Sequence, residues 1–368
     1  MDFRLTDEQQ ALGELARRIL EDRVTHDRLK AVEAGPEWFD RDAWAELAKA
    51  KLLGVAVPED SGGSGLGLVE LCLLLEQVGR TVAPVPAWPT LVLGALPIAR
   101  FGTPGQRTAL HHVAAGETVL SAALVEPGSD DPLRPETTAE HDGYIWRLDG
   151  VKTCVPAAHL AQSVLVPART TDGELGVFVV HPHAAGVVLE RQVATTREPL
   201  WHMELAGTEA ESLGHGVHGD AILPWLVERA LVGLCAMQLG VTGRALRMTA
   251  EHTLNRQQFD RPLASFQAVH QRAADAYIDV EAIRLTLWQA AWRLAEGLPA
   301  ATEVHVAKFW ASEAAHRVVY AAQHLHGGIG VDVDYPLHRY YLWAKQIELT
   351  LGSGTRQLAW LGSALASQ

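Results

Sequence analysis

Cysteine is scarce in this chain. Cys72, Cys154 and Cys235 are the only three among 368 residues, each in an apolar neighbourhood. An odd set without paired spacing excludes a disulfide-stapled scaffold and reads as reduced core thiols of a cytoplasmic protein. Positive charge is also short: lysine and arginine number 31 against 44 aspartates and glutamates, a net charge of −13. That balance argues against a nucleic-acid partner and gives no support to binding an anionic membrane. It does not favour an anionic ligand either, so local basic residues have to meet any phosphate. No apolar run reaches the ~20 residues needed to span a bilayer. The opening Met1-Asp2-Phe3-Arg4-Leu5-Thr6 lacks a basic and then apolar leader, so no signal peptide is expected. A Gly-x-Ser-x-Gly elbow and a Walker loop are both missing. No internal repeat, low-complexity tract or linker appears, and Asp130-Asp131-Pro132 through Pro135-Glu136 reads as a polar loop. The 17 histidines show no metal-type clustering. His324 and His326 sit near glycines, but no cysteine or carboxylate set completes a cage, so no metal is expected.

What is present is ordinary for a folded protein, with 48% hydrophobic and 20% charged residues, and the length allows two or three domains. Thr6 followed by Asp7-Glu8-Gln9 marks a helix start, and Leu12, Leu15, Ala16, Ile19 and Leu20 recur at helical spacing. A second helix is predicted over 41–50. Pro58 and the glycines up to Gly67 forbid regular structure and point to a tight loop. A helix over 68–78 then stops at Gly79, and another covers 91–101 before Gly102-Thr103-Pro104. From Val119 the texture changes to short β-branched segments at 119–124, 144–148, 163–167, 176–180 and 187–189. Asp142-Gly143 and Asp149-Gly150 read as turns at hairpin spacing. After Leu213 come long helical patterns at 222–254, 265–294, 302–324 and 341–350. The expected class is α+β, mainly α. It comprises an N-terminal helical domain (1–118), a middle β-barrel-like domain (119–215) and a C-terminal four-helix bundle (216–368). The bundle has apolar surface to spare, which suggests oligomerisation.

Two interhelical segments carry the functional signal. One is Asn255-Arg256-Gln257-Gln258-Phe259-Asp260-Arg261-Pro262-Leu263 with Phe266-Gln267. The other is His324-Leu325-His326-Gly327-Gly328-Ile329-Gly330, followed by Tyr335-Pro336 and Arg339-Tyr340-Tyr341. Paired glycines allow close backbone approach, and such a loop either turns the chain or presents N–H groups to an anion. Arg256 has the fork that binds phosphate bidentately. Its plainer role is a surface ion pair with Asp260 or Glu251.

Together these segments resemble the acyl-CoA dehydrogenase family, flavoproteins that oxidise acyl-CoA thioesters at the α and β carbons. The family pattern is Arg-x-x-Phe-Gly-x-Pro-Ile with Phe-Gln, then Gly-Gly-x-Gly with Tyr-Pro. The N-terminal Leu-Gly-x-x-x-Pro-Glu pattern, Gly-Gly-x-Gly and Glu-Gln-x-Gly-Arg are similar as well. The resemblance implies FAD shared between subunits: one subunit's middle domain holds the ring, and its neighbour holds the pyrophosphate and adenosine. It places Arg256, Phe259, Gln267, His324, Gly327, Gly328 and Gly330 at that second half. His324 departs from the usual Gln, with Gln323 adjacent.

The proton- and ring-handling half departs much further. In the family a Glu base follows Ala-Lys-x-x-Glu-Ile; in the matching frame here Leu351 stands at that place. The position used by a minority of the family falls on Ala230. Glu228 lies two residues earlier, rotated roughly 200° around a helix, and is either a displaced base or a helix-face acid paired with Arg229. Glu348 aligns with a structural acid. Leu124-Val125-Glu126-Pro127-Gly128 resembles the strand whose Thr bonds the flavin, but Val125 lacks the hydroxyl. Gly150-Val151-Lys152-Thr153-Cys154-Val155-Pro156 resembles Gly-x-Lys-x-Trp-Ile-Thr, with Cys154 for the Trp and Pro156 for the Thr. The resemblance therefore implies a chain without its own catalytic base. It would give FAD contacts to a homologous catalytic subunit in a heterotetramer, as in actinobacterial sterol side-chain degradation, with the acyl-CoA held mainly by the partner. Rival readings are a complete homotetrameric dehydrogenase using Glu228, a flavin monooxygenase-like member, and a flavin-free scaffold.

Overall fold

The computed structural model describes residues 4–129, 131–216 and 218–366. Met1, Asp2 and Phe3 of the opening, and Asp130 of the polar loop, lie outside the described residues. Helices open the chain, strands follow, and helices close it. The first group is α1 (Asp7–Arg23), α2 (His26–Ala34), α3 (Arg41–Lys49), α4 (Leu68–Thr81), α5 (Leu96–Phe101), α6 (Pro104–Arg107) and α7 (Ala109–Ala114). The strands are β1 (Val119–Ala122), β2 (Thr138–His141), β3 (Trp146–Pro156), β4 (Ala161–Thr170), β5 (Leu175–Val180), β6 (Val187–Val193) and β7 (Pro199–Ser212). Then come α8 (Gly219–Asn255), the two-residue strands β8 (Gln257–Gln258) and β9 (Arg261–Pro262), α9 (Gln267–Ala295), α10 (Ala301–His326), α11 (Leu337–Leu349) and α12 (Gly354–Ala366). This is the expected class: helical, β, helical.

By backbone proximity the chain divides into two compact units. One contains Val32–Leu71 and Pro84–Ala230. Its strands close on themselves: β4 pairs with β5, β5 with β7, β7 with β3, β3 with β2, and β2 with β4. β1 and β6 attach to β4 and β7. The ring encloses Leu148, Val155, Val164, Val166, Phe178 and Met203, all fully buried. Closing the sheet removes most free edges, which is why a barrel forms from such short strands. Two elements here escaped the sequence reading, β2 and the 14-residue β7. Asp149-Gly150 is a correction: it lies inside β3, not in a turn. Gly150 sits at a register shift with φ +153, and an added Cβ would strike Thr137.

The other unit draws on residues up to Ala31, on Cys72–Ala83 and on those from Leu231 onward. Thr6 caps α1 in a reciprocal box with Gln9. Gly79 does not end a helix as expected; α4 continues to Thr81. At this point α4 crosses α8 so closely that a Cβ on Gly79 would overlap the Met237 carbonyl, and one on Gly240 the Glu76 carbonyl. The glycine serves a helix crossing rather than a cap. α8 also corrects the expectation that no segment is apolar and long enough to span a bilayer. It passes that test by length and composition, yet 78% of the relevant window is buried within the protein, so its apolarity is spent on packing. α2 and α12 are further helices the sequence reading did not find.

Candidate functional site

The α8–α9 connection is a miniature hairpin. Gln257 pairs with Pro262 and Gln258 with Arg261, and the Leu263 N–H donates to the Arg256 carbonyl at 2.8 Å. Phe259 and Asp260 occupy its tip with φ +53 and +60. Positive φ at both central residues is the two-residue turn whose twist matches a hairpin. Aspartate tolerates this region; phenylalanine does so at a cost. The strain holds out an apolar ring that is 86% exposed. At the base of the hairpin, the Arg261 guanidinium lies 3.9 Å from the Phe266 ring centre. Gln267 is exposed at the first residue of α9.

Arg256 itself is exposed. Neither expected acid takes it: Glu251 pairs with Arg247 at 3.1 Å, and among the described residues no ion pair joins Arg256 to Asp260. The second segment caps α10. Gly327 adopts φ +66, ψ −144, a conformation natural only to glycine, and Gly328 follows it. Both are exposed, and where a Cβ would stand on either there is open space. Gly330 is different. It is buried, and its missing Cβ makes room for the Gln323 amide, whose Oε1 is buried without a partner. His324 is exposed, and its Nδ1 accepts from Arg272 at 3.0 Å.

The structure brings the two segments together through residues the sequence reading did not assign. His252, one turn before Arg256 on α8, stacks on His326 with ring centres 4.3 Å apart and planes at 22°. His326 directly precedes Gly327. Arg256, Asn255, His252 and Tyr335 line one cleft of about 520 Å³ with Arg244, Glu251 and Pro336. An exposed guanidinium without an ion pair beside a glycine turn that leaves its flank open suits a phosphate anion, so the residues present fit a dinucleotide pyrophosphate.

The positions tied by resemblance to protons and the flavin ring look otherwise. Leu351 is buried, with φ +54, in the turn after α11. Gln357 donates to its carbonyl at 2.9 Å. Fully buried Lys308 donates to the carbonyls of Ile347 and Glu348 at 3.0 Å and of Gly352 at 3.2 Å. Burial pulls the Lys308 ammonium down to about 8. So the turn is firmly built but carries no proton acceptor. Ala230 is fully buried, its carbonyl taken by the Trp88 indole at 3.0 Å. Glu348 pairs with Lys345 at 2.6 Å, a structural contact. Glu228 is partly exposed; burial raises its pKa against the pull of Arg229, whose guanidinium is 3.8 Å away. That guanidinium is committed to the Trp225 carbonyl at 3.0 Å and the Trp225 ring.

In the barrel, the Val125 carbonyl accepts from the Thr153 N–H at 2.9 Å. Cys154 stands at a bulge with φ +53, and its N–H is satisfied by Gln192 at 3.0 Å. Pro156 is buried, and its carbonyl accepts from Ser121. None of the three supplies a side-chain hydroxyl or indole. Their neighbours Glu126 and Lys152 form a buried ion pair at 2.6 Å. Among the described residues no three His, Cys, Asp or Glu gather as a metal site.

Comparison with known proteins gives two family matches. Residues 6–117 match the N-terminal domain of acyl-CoA dehydrogenases, and residues 225–366 match the C-terminal domain. The chain is 40% identical to acyl-CoA dehydrogenase FadE27 of Mycobacterium tuberculosis over 100% of its own length and 99% of that protein's. Among solved structures, one titled as the Tcur3481-Tcur3483 steroid ACAD superposes with TM-score 0.94 at 48% identity, covering 98% of both chains. The ChsE4-ChsE5 complex from Mycobacterium tuberculosis superposes with TM-score 0.94 at 40% identity, covering 100% of both.

Proposed function

The chain belongs to the acyl-CoA dehydrogenase family, and from that premise we propose that it is the FAD-supporting, base-free subunit of a heteromeric acyl-CoA dehydrogenase. Its partner is a homologous subunit that retains the base and holds most of the acyl-CoA. The carrying observation is a contrast within one chain. The phosphate-side residues are exposed and available, while Leu351 and Ala230 replace the proton acceptor with hydrocarbon.

FAD, when bound, supplies the hydride acceptor for α,β-dehydrogenation. The residues of this chain bind and orient. Arg256 meets the pyrophosphate charge, and the Gly327–Gly328 turn lets backbone approach it. Phe259 lays an apolar plate against the nucleotide or the partner. Gln267 and His324 offer polar edges, and Gly330 seats the loop on Gln323. The α-proton is left to a carboxylate from elsewhere, because this chain's turn has none. The two structures titled as two-component assemblies, one of them a steroid ACAD, support a heteromer and a bulky steroid-type acyl group. Exposed Tyr277, Ile278, Leu285 and Tyr320 on α9 and α10 support further subunit contact. The three free thiols accord with a cytoplasmic setting.

One observation favours a second reading. The raised pKa of Glu228 is what a general base near neutrality needs, so a self-sufficient enzyme would use it. Purifying the chain alone and with a co-expressed homologue decides between them. The heteromer reading expects a colourless protein alone and a yellow complex, and Arg256→Ala lowers the flavin content of that complex. A yellow homomer reduced by acyl-CoA overturns it.

A further inference from the structure

We infer that His252, His326 and Tyr335 are positioning residues that fix the spacing between Arg256 and the Gly327–Gly328 turn; this rests on the cradle reading above. The two sides of the cradle belong to different elements, the end of α8 and the end of α10. Neither Arg256 nor the glycines reach across to each other by a hydrogen bond among the described residues. The link is a column of three rings. His326 is buried, 6% exposed, at the last residue of α10. One nitrogen, Nδ1, faces the Ala322 carbonyl at 2.8 Å; the other, Nε2, faces the Tyr335 hydroxyl at 3.2 Å. A carbonyl only accepts, so Nδ1 carries the proton and Nε2 accepts from the tyrosine. With both nitrogens engaged, the ring cannot flip or rotate without losing both bonds. The Tyr335 ring lies against it at 5.4 Å, and His252 covers it at 4.3 Å.

The column is placed to set a distance. Residues four apart on a helix lie on one face, so His252 and Arg256 share a side of α8. His326 is bonded directly to Gly327. A shift of His326 against His252 therefore moves the glycine turn against the guanidinium, and two-point recognition of a pyrophosphate tolerates little such movement. An aliphatic side chain at 326 could fill the same space, but it could not lock its own rotation through two hydrogen bonds.

The test uses the chain complexed with its homologous partner, stripped of flavin and titrated with FAD by fluorescence, beside thermal unfolding and gel filtration. His252→Ala is expected to weaken FAD about tenfold or more with assembly intact, since His252 is half-exposed and its loss opens no buried void. His252→Phe, which restores a flat plate, is expected to bind FAD close to wild type. His326→Phe, which keeps a ring but loses both hydrogen bonds, is expected to fall between them. Wild-type affinity in His252→Ala while Arg256→Ala binds poorly overturns the column and leaves the cradle. Wild-type affinity in Arg256→Ala overturns the cradle itself. If His252→Phe binds as poorly as His252→Ala, stacking is not what positions the loop and the inference fails.

Discussion

The ammonium of Lys152 lies 2.6 Å from the Glu126 carboxylate, with Lys152 fully buried inside the barrel. Every acceptor and donor of the pair is occupied. Glu126 also takes the N–H groups of Glu136 and Thr137 and the Thr137 hydroxyl, and Lys152 reaches the Pro167 carbonyl at 2.8 Å. Both residues sit in motifs that resemble flavin-contact segments, yet here they staple β3 to the segment after β1.

Removing one member strands the other charge away from water. Lys152→Met is expected to cost about 3–5 kcal/mol, read as a lowered denaturant midpoint of the chain in its assembled form. The double variant Lys152→Met, Glu126→Leu should recover part of the loss. The pair also makes the fold acid-sensitive. Burial pushes the Glu126 pKa up, but Lys152 and the hydrogen bonds outweigh it and hold the carboxyl below its usual range. Stability from this group is therefore present above the ordinary carboxylate pKa and is lost as pH falls through the lower, folded value.

The helix crossing of α4 and α8 leaves no space for a methyl group at Gly240. Gly240→Ala raises intrinsic helix propensity but forces the backbones apart. Overpacking wins, at about 1–3 kcal/mol, visible as a drop in unfolding midpoint. A neutral or stabilising result would mean that the helices separate without strain.

The histidine column gives a second pH signature. Burial, aided by Arg256, lowers the pKa of His252; burial, aided by His252, lowers that of His326 against the Ala322 hydrogen bond. Arg256, Arg244 and Glu251 are the charged groups that line the same cleft, with Tyr335. Neutral rings are favoured in the folded state, so this stability is complete above the ordinary histidine pKa. It declines as pH drops from there towards the lowered values. His252→Phe should flatten the pH dependence of the unfolding midpoint over that window while the wild type slopes.

At the hairpin tip, Phe259 contacts little of its own chain. Phe259→Ala should leave the isolated chain's stability within about 0.5 kcal/mol, yet weaken the complex or its hold on FAD. Analytical ultracentrifugation and flavin content would report this. Unchanged assembly and unchanged flavin would remove Phe259 from the cradle.

For Glu228, the expected result is that Glu228→Gln leaves turnover of the complex nearly unchanged. A fall of about 10²-fold or more in kcat would make it the base and return the chain to the self-sufficient class.

Local signals carried well where local chemistry decides. The Thr6 cap, the loop through Pro58 and the long periodic helices appear as read. Context-dependent signals did not. Gly79 looks like a helix stop, but Met237, far along the chain, is what requires it. Asp149-Gly150 looks like a turn, but Thr137 demands the glycine within a strand. β7 was legible in hindsight: its burial alternates from Met203 to Ala210, and only the flanking polar residues obscured it. His326 was weighed as a metal ligand because it adjoins His324, whereas its partners are Ala322 and Tyr335.

The amino-acid sequence alone determined the family, the order of helices and strands, and the absence of a carboxylate at Leu351 and Ala230, because identity at a motif position is a one-dimensional fact. Which groups remain available is not. That Arg256 lacks an ion pair, that Phe259 is held into solvent by a strained turn, and that His252 meets His326 across 74 positions of chain were decided by tertiary structure. Burial and partnership depend on what the rest of the fold places alongside a residue, and no local pattern encodes them.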